Sequence, residues 1–433
     1  MFRTQISILD KWKKSKSRKP LLIRGARQVG KTWLMKHFGK ESYENCAYVN
    51  LENNKALQNI FTADFDISRI ITALQIETGI IIGAGNTLII LDEIQEAPGA
   101  LTSLKYFYEN APEYHLIAAG SLLGVALSKQ TSFPVGKIDF MDLYPLTYME
   151  FLDAMGESAL LKLLQSHDWK LIKTFKDKFI QRLKQYYYVG GMPEAVSVFT
   201  KNNDFADVRN VQKGILAAYE QDFSKHAPHE IVPRIRMLWN ALPAQLAREN
   251  KKFIYGIIKQ GARAKDYELA LSWLMDCGLV HRVMRVTKPA MPLKAYEDFS
   301  AFKLFIVDIG LLGAMLDIEV KTLLNGNEVF EEFKGALTEQ FVLQQFIMQK
   351  DIVTYYWSAE NATAEIDFLI QTQGKIIPIE VKAAENLKAK SLKVYTEKFG
   401  PSLAIRTSMS DYRQEYWLTN LPLYAIGEIG RLI

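Results

Sequence analysis

The sequence predicts an α/β fold class: a parallel sheet in the first third, a mostly helical middle and a small α/β domain at the end. Three observations carry this. Short, continuous apolar runs recur between residues 20 and 119 with helical segments between them, the pattern of parallel strands covered on both faces. A helical signal dominates from 149 to 226. A helical stretch at 335–348 then precedes strand-like runs at 352–357, 365–371 and 375–381.

Taken in order, residues 20–24 read as a short buried strand and 31–38 as a helix. Further strands are expected at 47–51, 87–91 and 114–119, with 138–143 closing the sheet. Gly190-Gly191-Met192-Pro193 breaks the helical segment that follows. A helical pattern over 266–275 ends at Cys277-Gly278, and a strand-like 281–286 and a Pro-containing loop at 287–292 come next. Helices followed by a small β-hairpin suggest a winged helix-turn-helix.

Composition excludes several classes. The 433 residues are 48% hydrophobic and 23% charged, which is globular and not disordered. Net charge is +5 with both signs interspersed, so a nucleic-acid partner is permitted but not argued for. The densest basic run, 11–19, reads more readily as a solvated helix end than as a phosphate contact. The two cysteines, Cys46 and Cys277, form no metal or redox pair. With no apolar leader and no stretch able to span a bilayer, the expectation is a cytoplasmic protein with no membrane partner.

Gly25-Ala26-Arg27-Gln28-Val29-Gly30-Lys31-Thr32 has the spacing G-x-x-x-x-G-K-[ST]. Each fixed position has a chemical reason. The glycines let backbone N–H groups turn inward around phosphate oxygens. The helix that starts there points its positive end at the anion. Lys31 reaches the β- and γ-phosphates, and the Thr32 hydroxyl coordinates Mg²⁺. The four fixed positions match by accident in about one chain of this length in a hundred, and the strand before and helix after tighten that. Gly25 through Thr32 are therefore expected to bind ATP with Mg²⁺.

Leu88-Ile89-Ile90-Leu91-Asp92-Glu93 supplies the second half. The strand delivers Asp92 to hold Mg²⁺ through water, and Glu93 is placed to activate the attacking water. A nucleotide kinase shares the loop, but Glu93 provides for water and no acceptor pocket is evident. Ser121 reads equally as a γ-phosphate sensor or a turn serine. Arg27 faces phosphate, a neighbouring subunit or solvent. No arginine finger is identified.

Near the C-terminus, Asp367 and Glu380 fall on consecutive strands, and Lys382 shares a strand face with Glu380. Two carboxylates can hold a metal ion, and a lysine beside them can offset phosphate charge. Glu339, on the preceding helix, adds a further acid. An exposed edge with charge pairs explains this short motif as well as a nuclease does. In the segment before it, Lys251, Lys252, Lys259, Arg263, Lys265, Tyr267 and Trp273 are candidates for DNA contact. Asp266 and Glu268 oppose that, so internal packing is as good a role.

IRGARQVGKT (23–32), LIILDEIQ (88–95), GSLL (120–123) and DLYPLTYMEFL (142–152) resemble prokaryotic AAA+-type ATPases that carry a winged-helix segment and a C-terminal domain of unknown function. FIVDIGLL (305–312), GALTEQFV (335–342), AEIDFLI and IPIEVKAAE resemble the later parts. The resemblance covers nearly the whole chain. It implies an ASCE-type fold for the first domain and a PD-(D/E)xK nuclease-like fold for the last. There Asp367, Glu380 and Lys382 match the signature, and Glu339 matches the upstream acid. The family often has Gly-Arg where this chain has Gly136-Lys137. The expected organisation is an ATPase domain over 1–155, a helical lid over 156–228, a winged-helix-like domain over 229–315 and a nuclease-like domain over 316–433. Two tasks follow: Mg-ATP hydrolysis coupled to DNA binding or processing, or a signalling or scaffold switch whose inactive C-terminal domain binds a protein partner. Homo-oligomerisation stays open.

Overall fold

The computed structural model describes all residues except 1, 53, 121–135, 248–251, 326–328, 350, 360–363, 384 and 386–388, and only the backbone of 98, 323–325 and 329–334. Ser121 and Lys251 lie outside the described residues. The chain forms two compact units.

The first unit comprises Phe2–Tyr144 with Asp276–Leu279. Its strands are β1 (Leu21–Arg24), β2 (Asn45–Asn50), β3 (Thr87–Asp92), β4 (His115–Ala119) and β5 (Asp139–Asp142). They pair in the order β2-β3-β4-β1-β5, every pair parallel. β3 and β4 are buried at every residue, because helices cover both faces. Leu22, Ile89, Leu91, Leu116 and Ala118 of the sheet pack with Leu57, Phe61, Ile70, Leu74, Leu104 and Phe107 of the helices. Each such large apolar side chain contributes about 1.5–3 kcal/mol on burial. Local signals agree with that packing. Asp66 accepts from Arg69 N–H to start the helix Ile67–Thr78, and Gly79 ends it in the left-handed region.

Parallel pairing has one consequence for function: the C-terminal ends of β1, β3 and β4 fall on one edge. The loop after β1 and the acid at the end of β3 are thereby neighbours, although 60 residues of chain separate Thr32 from Asp92.

The second unit comprises Pro145–Met275 with Val280–Ile433. Helices including Lys176–Val189, Pro193–Asn202, Phe205–His226 and Val232–Leu246 lead into an eight-stranded sheet. Its strands are β6 (Val280–Val286), β7 (Glu297–Ile306), β8 (Thr354–Ser358), β9 (Glu365–Thr372), β10 (Lys375–Val381), β11 (Ile405–Ser408), β12 (Arg413–Gln414) and β13 (Thr419–Pro422). The order is β12-β13-β11-β10-β9-β8-β6-β7.

The expected hairpin exists as the antiparallel pair β6–β7, but β6 also pairs in parallel with β8. The boundary expected at 315/316 therefore falls inside one sheet. The helical segment joins the same unit through a buried polar network. Gly190, at φ 72°, and Gly191 end a helix against Asp308, and a Cβ on Gly190 would lie 2.1 Å from Asp308 Oδ1. Gly191 N–H donates to Asp308 Oδ2 at 2.6 Å, and Gln344 Nε2 donates to the same oxygen at 2.9 Å. Asp308 Oδ1 caps the helix Ile309–Met315 by accepting from Leu311 N–H. No helix among the described residues is long and apolar enough to cross a membrane.

Candidate active site

The loop 25–30 turns sharply because of its glycines. Gly25 sits at φ 146°, and a Cβ there would meet Leu143 O at 2.1 Å, so no other residue fits. Gly30, at φ 93°, precedes the helix Lys31–Ser42, whose N-terminal N–H groups open toward the loop. Val29 is buried and anchors the turn. Arg27 is half-buried and Gln28 exposed, with Gln28 in the left-handed region.

Lys31 is buried, and its ammonium donates to the carbonyls of Gly25 at 2.9 Å and Ala26 at 2.7 Å. Burial lowers its pKa to about 8, against the opposing pull of Glu93 and Asp92 and with a smaller push from Arg27. The loop thus holds its own cation against its backbone carbonyls.

Asp92 is buried at the end of β3. Its Oδ2 accepts from Thr32 Oγ1 at 2.6 Å and from Tyr48 OH at 3.1 Å, and its Oδ1 accepts from Glu93 N–H at 3.1 Å. Tyr48, on the adjacent β2, has its pKa pushed up to about 12 by burial first and by Asp92 second. Glu93 follows in the left-handed region at φ 49°, an unusual state for a residue with a Cβ. Gln95 Nε2 donates to Glu93 Oε2 at 2.6 Å. Sequence reading missed Tyr48 and Gln95. The only signal for Gln95 was its place two residues past the acid; for Tyr48 there was none without the strand order. Lys137, where the resembled family often has arginine, pairs with Glu109 at 2.9 Å on the surface.

Residues 17–152 match the AAA domain family. This stretch is an AAA-type P-loop ATPase domain. The AAA domain binds ATP and hydrolyses it. Residues 180–322 and 334–426 match two families described only as domains of unknown function (DUF8612 and DUF4143). No curated protein matches the chain. Among solved structures, a Walker-type ATPase of Pyrococcus abyssi is similar at 15% identity, over 73% of this chain and 95% of that one, with a TM-score of 0.47. The Orc1 protein of Aeropyrum pernix, solved in complex with DNA, is similar at 11% identity, over 73% and 93%, with a TM-score of 0.26. The Holliday junction branch migration motor RuvB of Thermotoga maritima is similar at 16% identity, over 64% and 87%, with a TM-score of 0.30. Likenesses this loose say nothing further about what the chain does.

The C-terminal acids are placed differently from the AAA site. Asp367 lies one step past the β9–β10 pair Phe368 and Ile379, beside Glu380. Asp367 Oδ2 accepts from Val381 N–H at 2.7 Å. Lys382 Nζ, one residue past β10, pairs with Glu380 Oε1 at 2.7 Å. Glu380 Oε2 is buried with no hydrogen-bond partner. Glu339 turns to another cation, the fully buried ammonium of Lys303, at 3.5 Å. Lys303 also pairs with Glu365 at 2.5 Å. Among the described residues, no group of three or more His, Cys, Asp or Glu is placed to hold a metal ion. Asp367 and Glu380 thus lie side by side, while Glu339 is paired with Lys303.

The aromatic candidates for DNA contact are interior. Tyr267 and Trp273 are each 5% exposed, and Trp273 packs edge-on against Phe223 at 5.5 Å. Lys265, Asp266 and Glu268 on the same helix are exposed.

Proposed function

We propose that the AAA domain hydrolyses Mg-ATP with Lys31 on the β- and γ-phosphates, Thr32 and Asp92 as the oxygen ligands of Mg²⁺, and Glu93 as the base for the attacking water. The observation that carries this is the Thr32–Asp92 hydrogen bond, which joins the two halves of the motif at the sheet edge. A hydroxyl and a buried carboxylate are hard oxygen donors, which suits Mg²⁺. When bound, the ion neutralises charge on the phosphates. Lys31 leaves the Gly25 and Ala26 carbonyls to bind phosphate. Glu93 takes the proton of the water, and Gln95 orients its carboxylate. Phosphate release without any acceptor, lost in Glu93→Gln, tests this reading against a kinase.

For the rest of the chain we propose a nucleotide-driven switch whose C-terminal domain binds a protein partner and does not cut nucleic acid. The engagement of Glu339, Asp367 and Glu380 by Lys303, backbone and Lys382 supports it. The order helix, β8, β9, β10, helix, β11 supports a PD-(D/E)xK-like fold without requiring its chemistry. The burial of Tyr267 and Trp273 supports a packing role for the winged-helix-like segment.

DNA processing has one observation in its favour, the unpartnered buried oxygen of Glu380. Incubation of the full chain with duplex and branched DNA, with ATP and Mg²⁺, separates the two. The switch reading expects intact DNA and unstimulated phosphate release. Cutting by wild type that is lost in Glu380→Ala selects DNA processing instead.

A further inference from the structure

Lys303 lies mid-strand in β7, between Phe302 and Leu304, and is fully buried. A buried ammonium is costly unless carboxylates surround it. Here they do, from two other elements. Glu339 comes from the helix Val329–Phe346 and Glu365 from the first residue of β9. Burial pulls the Lys303 pKa down, but Glu339, Glu365 and Asp367 together hold it well above the ordinary lysine range. Nζ also lies 4.9 Å from the ring centroid of Tyr356, on β8, adding attraction on that side. One of the acids that the sequence assigns to a metal, Glu339, is thus drawn with Glu365 to an amine whose strand, β7, lies outside the expected C-terminal domain.

We propose that Lys303 is the resident cation of Glu339 and Glu365 next to the C-terminal acidic strands, a covalently supplied counter-ion that takes the place of a divalent metal at Glu339. Its charge is delivered by the hairpin strand β7, so the hairpin and the acidic strands form one metal-independent unit. This deepens the reading of the C-terminal domain as non-cutting and rests on it. The chemistry is specific. Lys303 can serve Glu339 and Glu365 with directed N–H donors and supplies a single positive charge. It offers no open coordination position at which a water or a phosphate oxygen could be activated.

Mn²⁺ binding to the nucleotide-free full chain, counted by paramagnetic resonance, tests the proposal. The count is taken as a difference against Glu339→Gln, which leaves Thr32 and Asp92 intact. Wild type and Glu339→Gln are expected to bind Mn²⁺ equally at about 1 mM, and neither should gain thermal stability from it. A wild-type site that Glu339→Gln or Asp367→Asn removes overturns the proposal. In Lys303→Met, the vacated carboxylates are expected to take up about one additional Mn²⁺ per chain, lost again in Lys303→Met/Glu339→Gln. A folded Lys303→Met chain with no added Mn²⁺ also overturns it. If Lys303→Met does not fold, the wild-type comparison alone decides. Cleavage of DNA by a wild-type chain with no Mn²⁺ at Glu339 would sink the non-cutting reading and leave the role of Lys303 standing, so the two failures are distinct.

Discussion

Thr32 Oγ1 donates to Asp92 Oδ2 at 2.6 Å, from the first turn of one helix to the end of a strand two positions away in the sheet. In the proposed reaction both residues are Mg²⁺ ligands, and this hydrogen bond pre-positions them. Pre-positioning matters because a ligand set that must first assemble loses affinity to the ordering cost.

Because they act as a unit, Thr32→Ala and Asp92→Ala should each lower phosphate release by on the order of 10²-fold, and the double variant should be little worse than Asp92→Ala alone. Steady-state phosphate release on the four proteins of the cycle checks this. Simple multiplication of the two effects contradicts it.

Glu93 and Gln95 share a 2.6 Å hydrogen bond. Replacing the base in Glu93→Gln should lower kcat by on the order of 10²–10⁴-fold while ATP affinity stays within a few-fold. Gln95→Ala leaves the base in place but unoriented, so a smaller loss of about 10-fold is expected, again in kcat. Calorimetric ATP binding alongside turnover measurement separates these effects from a loss of binding.

Lys31 has a lowered pKa of about 8 in the free protein, mainly from burial. ATP favours the charged lysine, so binding takes up a proton wherever the free lysine has lost its own. The sign follows: affinity is level below pH 8 and falls as pH rises through and above it, by up to about tenfold per pH unit. Folding has the related sign. The folded pKa lies below the ordinary lysine value, so the burial penalty is present in full below pH 8 and relieved as pH rises toward 10.5, by roughly 3 kcal/mol in total. Isothermal titration at pH 9 in two buffers of different ionisation enthalpy should show proton uptake with wild type and none with Lys31→Met.

Gly25→Ala meets two obstacles, a φ of 146° and a Cβ 2.1 Å from the carbonyl of Leu143. The first unit should lose about 3 kcal/mol of stability, and the loop should lose ATP. Denaturant unfolding followed by the loss of ATP-dependent stabilisation measures both. An unchanged midpoint contradicts the geometry.

The nucleotide site was legible in sequence because its parts are local. Gly25 to Thr32 is one contiguous turn, and Asp92 ends an apolar run that can only be a buried strand. Parallel strands read well for the same reason: burial on both faces leaves unbroken apolar runs such as Leu88-Ile89-Ile90-Leu91. The second unit read poorly because its key relations are long-range. β6 finds β8 across some seventy residues, so a hairpin that looked like a separate wing became part of a larger sheet. β11 and β13 were not anticipated, being short and interrupted by polar residues. Lys303 carried one overlooked signal, a lone charge inside the apolar run Ala301-Phe302-Lys303-Leu304-Phe305-Ile306. A charge there must meet opposite charge once buried, but only the fold shows that Glu339 and Glu365 provide it.

In the proposed reaction Lys31 exchanges the carbonyls of Gly25 and Ala26 for the phosphates of ATP. Titration of ATP into wild type and Lys31→Ala, with phosphate release measured on the same preparations, tests it most directly. The expected result is a loss of affinity of at least about 10²-fold and turnover at background. Undiminished affinity and turnover in Lys31→Ala would contradict it.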